Sequence, residues 1–299
     1  MRHIGFYNSG DAVQTAIDDK ELGKPYVVYL NDEHRLDWNS KNIDYTGMPL
    51  TFEIISGGTI NWKGAGKTIQ YRLNGGEWTD ITSTGEGTII TVNDGDKVQF
   101  RADNFNNHNG TSYFLGTAMY NAYGNIMSLI NPTDFENLFE LNDNYTFAHL
   151  FGGGTTYGYT NTGIIDASNL VLPATVLTDH AYDGMFANCL NLVAAPALPA
   201  KTLVGFCYQE MFNNCSSLVK APELLADYVP SYAYYYMFAG CSKLDYVKCL
   251  ATGFESFGST NRWLRDVRST GTFVKHPNAT WTTGEDGIPA GWTIIDAEI

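Results

Sequence analysis

The sequence predicts a multidomain, β-rich α+β chain. A small α+β module spans residues 1–45, a β-sandwich 46–126, a repeat solenoid 127–270 and a terminal cap 271–299. Three observations predict it. Short β-branched and aromatic runs separated by Gly-rich turns fill residues 46–126. The octet YDGMFANC at Tyr182 returns as YQEMFNNC at Tyr208 and YYYMFAGC at Tyr234, each copy 26 residues after the last. A length of 299 residues leaves room for two or three cores.

In residues 1–45, HIGFY reads as a strand, and Ser9 caps a helix that places Val13, Ala16 and Ile17 on one face. YVVYL then reads as a strand, NDEH as a turn and RLDW as a returning strand.

Six strands are expected next: TFEII, TINWK, TIQYRL, EWTDI, GTIITV and KVQFRA. The turns between them are SGG, GAGK, NGG, STGEG and NDGD. Asn-Gly before EWTDI is a strong hairpin signal, since both residues tolerate positive φ. Val98 and Phe100 alternate onto one face of a half-buried strand. This number of strands in about this length suggests an immunoglobulin-like sandwich.

In the repeats, Met185, Met211 and Met237 keep the same interval, as do Cys189, Cys215 and Cys241, and Leu192, Leu218 and Leu244. Tyr182, Met185, Phe186 and Cys189 lie at i, i+3, i+4 and i+7, the spacing of one face of a short helix. Thr178 or Asp179 would cap that helix, and Asn188 near its end tolerates left-handed geometry. LNLV would supply a short strand, and AAPALPA would turn the chain back. One such unit cannot hide its own apolar face, whereas stacked copies can. FAHLFGGG, from Phe147, reads as a decayed first copy with Leu150-Phe151 in place of Met-Phe. Trp281 and Trp292 in the terminal piece are placed to seal the open end.

Composition narrows the function. Eighteen Lys and Arg against 32 Asp and Glu give a formal charge of −14. Such a field repels a phosphate backbone, so nucleic acid is not an expected partner. The opening residues hold no apolar stretch of signal-peptide length, and no run approaches the roughly 18 apolar residues of a membrane span, so neither export by a signal nor membrane insertion is expected. Five Cys is an odd count without CxxC spacing, which argues against a disulfide framework and a zinc site.

Chemical motifs are incomplete. GAGKT from Gly64 lacks the first glycine of a phosphate-binding loop, since Asn61 occupies that position. It also precedes a strand, so it reads as a hairpin turn. NDGDK from Asn93 lacks the remaining calcium ligands and reads as a turn. The six His show no metal-ligand spacing, so no metal is expected. A nucleophile has no reason to recur three times, so the repeated Cys read as buried packing. No GxSxG occurs, and the sequence does not single out a carboxylate pair for glycoside cleavage. No catalytic residue, cofactor or enzyme activity is expected. Tyr182, Tyr208 and Tyr234 are in repeat register and should be core. Tyr232, Tyr235, Tyr236 and Trp263 are additional aromatics. Packing between copies is their default reading, and stacking on a sugar or a protein is the functional one.

The segment LPATVLTDHAYDGMFANCLNLVAAPALPAKTLVGFCYQEMFNNCSSLVKAPELL, with YGNIMSLINPTDF before it and GTFVKHPNATW and GIPAGWTI after it, resembles leucine-rich repeat proteins of the BspA-like type, abundant in gut Bacteroidales and their phages. The preceding sandwich, with TIQYRLNGGEWTDI and GDKVQFRADN, looks like the domain that often accompanies these repeats. The third copy departs from the pattern at LLADYVPSYAYYYMF, where a bulge at Pro230 is expected. ELGKPYVVYLNDEHRLDWN resembles short N-terminal modules of phage or prophage structural proteins.

These resemblances imply a non-enzymatic display and adhesion protein on a bacteriophage virion surface: a head fibre, capsid decoration or tail-associated protein. Residues 1–45 would attach it to other virion proteins, and the solenoid would bind a host surface glycan or protein. By analogy with fibres, a homo-oligomer, a trimer among the options, is expected. The alternatives are a Bacteroidales cell-surface adhesin whose signal was removed, and a carbohydrate-active enzyme.

Overall fold

The computed structural model describes residues 27–30, 34–37, 44–152, 160–255 and 258–298. The expected strand HIGFY, the helix after Ser9 and the NDEH turn lie outside the described residues. The chain divides into two compact units, Met1–Asp44 and Tyr45–Ile299. In the first, β1 (Val27–Leu30) pairs antiparallel with β2 (His34–Asp37), matching the strands read in YVVYL and RLDW.

The second unit is β-rich with almost no helix. Helical residues among those described are confined to three 3-10 turns, His108–Gly110, Ile126–Leu129 and Phe135–Asn137. All six strands read from residues 46–126 are present: β3 (Thr51–Ser56), β4 (Gly58–Gly64), β5 (Thr68–Leu73), β6 (Thr79–Thr82), β7 (Thr88–Val92) and β8 (Lys97–Arg101). Three more accompany them: β9 (Ser112–Gly116), β10 (Met119–Asn125) and β11 (Ile164–Val171). They form a six-stranded sheet of order β11-β10-β3-β8-β5-β6 and a three-stranded sheet of order β7-β4-β9. Asn74 and Gly75 both take positive φ in the turn between β5 and β6, as their sequence signals. GAGK is not a hairpin turn. It carries the chain from β4 in one sheet to β5 in the other, so its glycines serve a crossing between sheets.

The two sheets bury an aromatic core. Phe114 packs on Phe52, Phe100 and Trp62 at ring separations of 5.1, 4.8 and 4.7 Å. The Trp62 indole N–H donates to the Lys67 carbonyl, so its one polar atom is satisfied. Phe151 lies 6.0 Å from Phe114, and β11, from beyond residue 126, pairs in parallel with β10. The core therefore runs unbroken into the repeated segments.

The octets are not helical. Each is a run of turns in which an amide donates three residues back: Ala181 to Thr178, Met185 to Tyr182 and Cys189 to Phe186. The third residue of each turn has positive φ: His180, Gly184 and Asn188. The amides in between point sideways. Those of Tyr182, Gly184, Phe186 and Asn188 donate to the carbonyls of Cys207, Gln209, Met211 and Asn213 in the next copy. The next interface repeats the pattern, with Glu210, Phe212 and Asn214 donating to Tyr235, Met237 and Ala239. Half the amides close turns and half bridge copies, so the backbone is satisfied without a helix. LNLV is likewise not a strand; one parallel bridge joins Ala194 to Asp166.

Side chains follow the same register. Phe151, Phe186, Phe212 and Phe238 stack face to face at 5.1, 5.4 and 5.5 Å. Tyr182, Tyr208 and Tyr234 form a parallel column at 5.8 and 6.4 Å. The thiols of Cys189, Cys215 and Cys241 each donate to a phenylalanine carbonyl of the preceding copy, those of Phe151, Phe186 and Phe212. Left-handed residues form columns too. One step runs from His149 through Gly184, Glu210 and Tyr236 to Arg262. Only position 184 must be glycine, because a Cβ there would lie 2.2 Å from the His149 ring.

All five Cys are buried and unbridged, and burial raises the pKa of each thiol. The folded protein should therefore leave Ellman's reagent unreacted, with all five thiols titrating only in denaturant. Rapid reaction of any Cys in the folded state would contradict this packing.

On either side of the third octet, β12 (Tyr228–Val229) pairs in parallel with β14 (Gly253–Phe254). A parallel sheet of order β13-β15-β16 comprises Tyr246–Cys249, Thr272–Lys275 and Thr293–Asp296. Trp281 stacks on Trp263, and the Trp292 indole donates to the Arg268 carbonyl.

Candidate binding cavity

A cavity of about 760 Å³ opens beside the third octet. Tyr232 and Tyr235 line it, with Phe254, Glu255, Trp281 and Asp286 contributed by later segments. Thr260, Asn261, Thr280 and Thr282 add hydroxyl and amide groups to its wall.

The repeat places these groups. Tyr232 is a left-handed residue ending a column of rings: Tyr145, His180, Phe206 and Tyr232, at 4.4, 4.5 and 4.8 Å. Tyr235 meets Tyr232 edge-on at 5.5 Å and Tyr236 at 4.6 Å. All three are half-buried. Desolvation is the main cause holding the Tyr235 phenol above its ordinary pKa, with Tyr236 and Glu210 adding to it. Tyr236 is held from the side. The Arg262 guanidinium donates to its hydroxyl at 2.6 Å and is itself paired with Glu285 at 2.8 Å.

A fourth copy, invisible as an octet, builds the opposite wall. Positions 26 residues beyond Tyr234, Met237 and Phe238 carry Thr260, Trp263 and Leu264. The backbone ladder persists: Tyr234, Tyr236 and Phe238 donate to Ser259, Asn261 and Trp263. The Trp263 indole continues the tyrosine column above Tyr234 at 6.0 Å, and Trp281 follows at 5.3 Å. Small Thr260 then lines the cavity where earlier copies carry a tyrosine.

Of the aromatics singled out in the sequence, Tyr232 and Tyr235 line the cavity, and Tyr236 adjoins it through Tyr235. Trp263 is fully buried, and its indole N–H donates to the Gly287 carbonyl at 2.9 Å, so its place is in the core. Phe254, Glu255, Asn261 and Asp286 were missed. Trp281 was read as a seal, and it both stacks in the column and lines the cavity. The available signal was the 26-residue interval itself, which persists at Trp263-Leu264 after the Tyr and Cys of the octet are gone.

The carboxylates are oriented by backbone. Glu255 accepts from the Ser231 amide at 3.1 Å, and Asp286 accepts from the Arg262 amide at 2.9 Å. The arrangement combines aromatic surfaces with oriented acceptors and hydroxyls, which suits a ligand with both a flat apolar face and hydroxyl donors. Among the described residues, no group of three or more His, Cys, Asp or Glu is placed to hold a metal ion. No helix of the described residues is long and apolar enough to cross a membrane. Comparison with protein-family models, curated proteins and solved structures returned no match to this chain.

Proposed function

We propose that the chain is a non-enzymatic structural and adhesion protein of a bacteriophage virion surface. In this reading, residues 127–270 form a leucine-rich-repeat solenoid of the BspA-like type that presents a binding surface for a host glycan. The immunoglobulin-like sandwich sets it out from the particle, and the N-terminal module attaches it to other virion proteins. The observation that carries the binding reading is the cavity walled by Tyr235, Phe254 and Trp281 and edged by Glu255, Asp286 and hydroxyl groups. Rings that stack on a sugar face, beside acceptors for its hydroxyls, are what a carbohydrate site requires. The virion placement rests on the resemblance of the N-terminal module and of the repeats.

Binding is tested by titrating the full chain with capsular oligosaccharides of candidate hosts, followed by tryptophan fluorescence. Tyr235→Ala should weaken association about tenfold, the loss of roughly 1–1.5 kcal/mol of ring stacking. Tyr235 is half-buried and outside the stacked columns, so the variant should keep the wild-type melting temperature. Equal affinity of variant and wild type would remove the cavity from the reading. New reducing ends on incubation would instead show an enzyme. Mass spectrometry of purified virions should find the chain. Recovery only from bacterial outer membranes would favour a cell-surface adhesin.

A further inference from the structure

Among the described residues, the sheet β13-β15-β16 ends in an open edge. Thr293 and Ala297 donate their amides back to Gly271 and Lys275 on the β15 side. By strand alternation, the N–H and C=O groups of Ile294 and Asp296 point away from the sheet. Neighbouring residues of a strand face opposite sides, yet Ile294 and Ile295 are 43% and 47% exposed, so neither side of β16 is covered. Folded proteins usually blunt such an edge by keeping it short, as the four residues of β16 do, and further with proline, a bulge or an unpaired charge. β16 contains no proline, and its register with β15 is uninterrupted. Its single charge, Asp296, is drawn inward to the Lys275 ammonium at 2.7 Å.

We propose that β16 is a self-association edge, pairing antiparallel with β16 of a second copy of this chain about a two-fold axis. Hydrogen-bonding geometry restricts the register. Outward-pointing residues must face outward-pointing residues, so the axis passes through position 294, 295 or 296. Centring on Asp296 would set two carboxylates opposite each other, which is destabilising. Centring on Ile294 would set position 292 against Asp296, bringing the buried Trp292 to the contact. Centring on Ile295 sets Ile295 against its own copy, Ile294 against Asp296 and Thr293 against Ala297. That register uses all outward groups of Ile294 and Asp296, in four inter-chain hydrogen bonds, and opposes no like charges. The two three-stranded sheets become one of six strands. An isologous contact of this kind closes at two subunits.

Sedimentation equilibrium of the full chain across micromolar concentrations tests the proposal, with a monomer–dimer equilibrium expected. Ile295→Lys should raise the dimer dissociation constant by at least about tenfold, by placing two ammonium groups opposite each other. Val219→Lys, on another exposed aliphatic site, should leave it unchanged. A cysteine pair gives a readout independent of that variant's folding. In this register the two Ile295 Cα atoms form a non-hydrogen-bonded pair about 4.5 Å apart, within disulfide reach. Under mild oxidation Ile295→Cys should cross-link efficiently and Ile294→Cys poorly, while the native thiols are buried. A wild type that stays monomeric, a trimer, a dimer indifferent to Ile295→Lys, or equal cross-linking at both positions would each overturn it.

Discussion

Phe212→Ala is expected to cost about 3–5 kcal/mol of stability, the range for removing a buried phenylalanine from a core that cannot collapse around the gap. Phe212 lies between Phe186 and Phe238, nearly parallel to both, and is fully inaccessible to solvent. Its amide donates to Met237 and its carbonyl accepts from the Cys241 thiol, so the backbone on either side is held in place. The rings above and below are held the same way, which leaves the cavity unfilled. Since a domain has roughly 5–15 kcal/mol in total, a large share would be lost. Urea denaturation measures it. A loss below about 1.5 kcal/mol would mean that the column relaxes and is not a rigid stack.

The second large effect is a dependence of stability on pH, carried by Asp183. Its side chain is buried, with Oδ1 unpartnered, and burial with Glu210 nearby pushes its pKa up to about 8. Its side chain faces His180, Asp179 and Gln209, and its carbonyl accepts from the His149 amide. A carboxyl whose folded pKa exceeds its unfolded one stabilises the fold at low pH, and that contribution is lost as pH rises through the folded value. His149 works in the opposite direction. Burial, with His180 nearby, lowers its pKa to about 4, so its contribution grows from about pH 4 to 6.5 and is then constant. The window from about pH 6.5 to 8 isolates the carboxyl. There the wild type should lose about 2 kcal/mol, from roughly 1.4 kcal/mol per pH unit. Glu210, also raised by burial, contributes a loss of the same sign as pH rises through its own folded value. Asp183→Asn should flatten most of this slope. Parallel pH profiles for the two proteins, by thermal melts, would show that the Asp183 carboxyl is not the cause.

How much of this was legible in the sequence differs by element. The six strands of residues 46–126 were readable because alternation and Gly-rich turns mark them directly. β9 and β10 were not: in SYFLG, Ser112, Tyr113 and Phe114 are all buried, and in MYNAYGN the alternate buried positions are Tyr120, Ala122 and Gly124, which do not read as an apolar stripe. The 26-residue period was evident, and its local conformation was misread for a specific reason. Buried pairs recur at Ala181-Tyr182 and Met185-Phe186, a period of four set by successive turns. Over eight residues a period of four and the helical 3.6 place the same side chains on one face. The deciding signal would have been the left-handed residues, and these are His180, Phe206, Glu210, Tyr232 and Arg262 as often as Gly or Asn. Such residues adopt positive φ only where surrounding bonds impose it, so composition does not announce them. For the cavity, the tyrosines were found because they exceed what the repeat needs. The opposite wall was missed because its copy kept the register while exchanging the side chains by which a copy is recognised.

The alternation of amides within the turn runs also governs how the chain can change length. Each copy offers its predecessor a row of backbone acceptors, and side-chain identity enters chiefly through the stacked rings and the bridging thiols. A gene segment of 26 codons, duplicated whole, would slot its product between existing layers and move everything beyond it outward by about 5 Å, the distance between neighbouring strands. A duplication of 25 or 27 codons would put turn-closing amides where bridging ones belong. The architecture thus tolerates growth and shrinkage in quanta, one layer at a time.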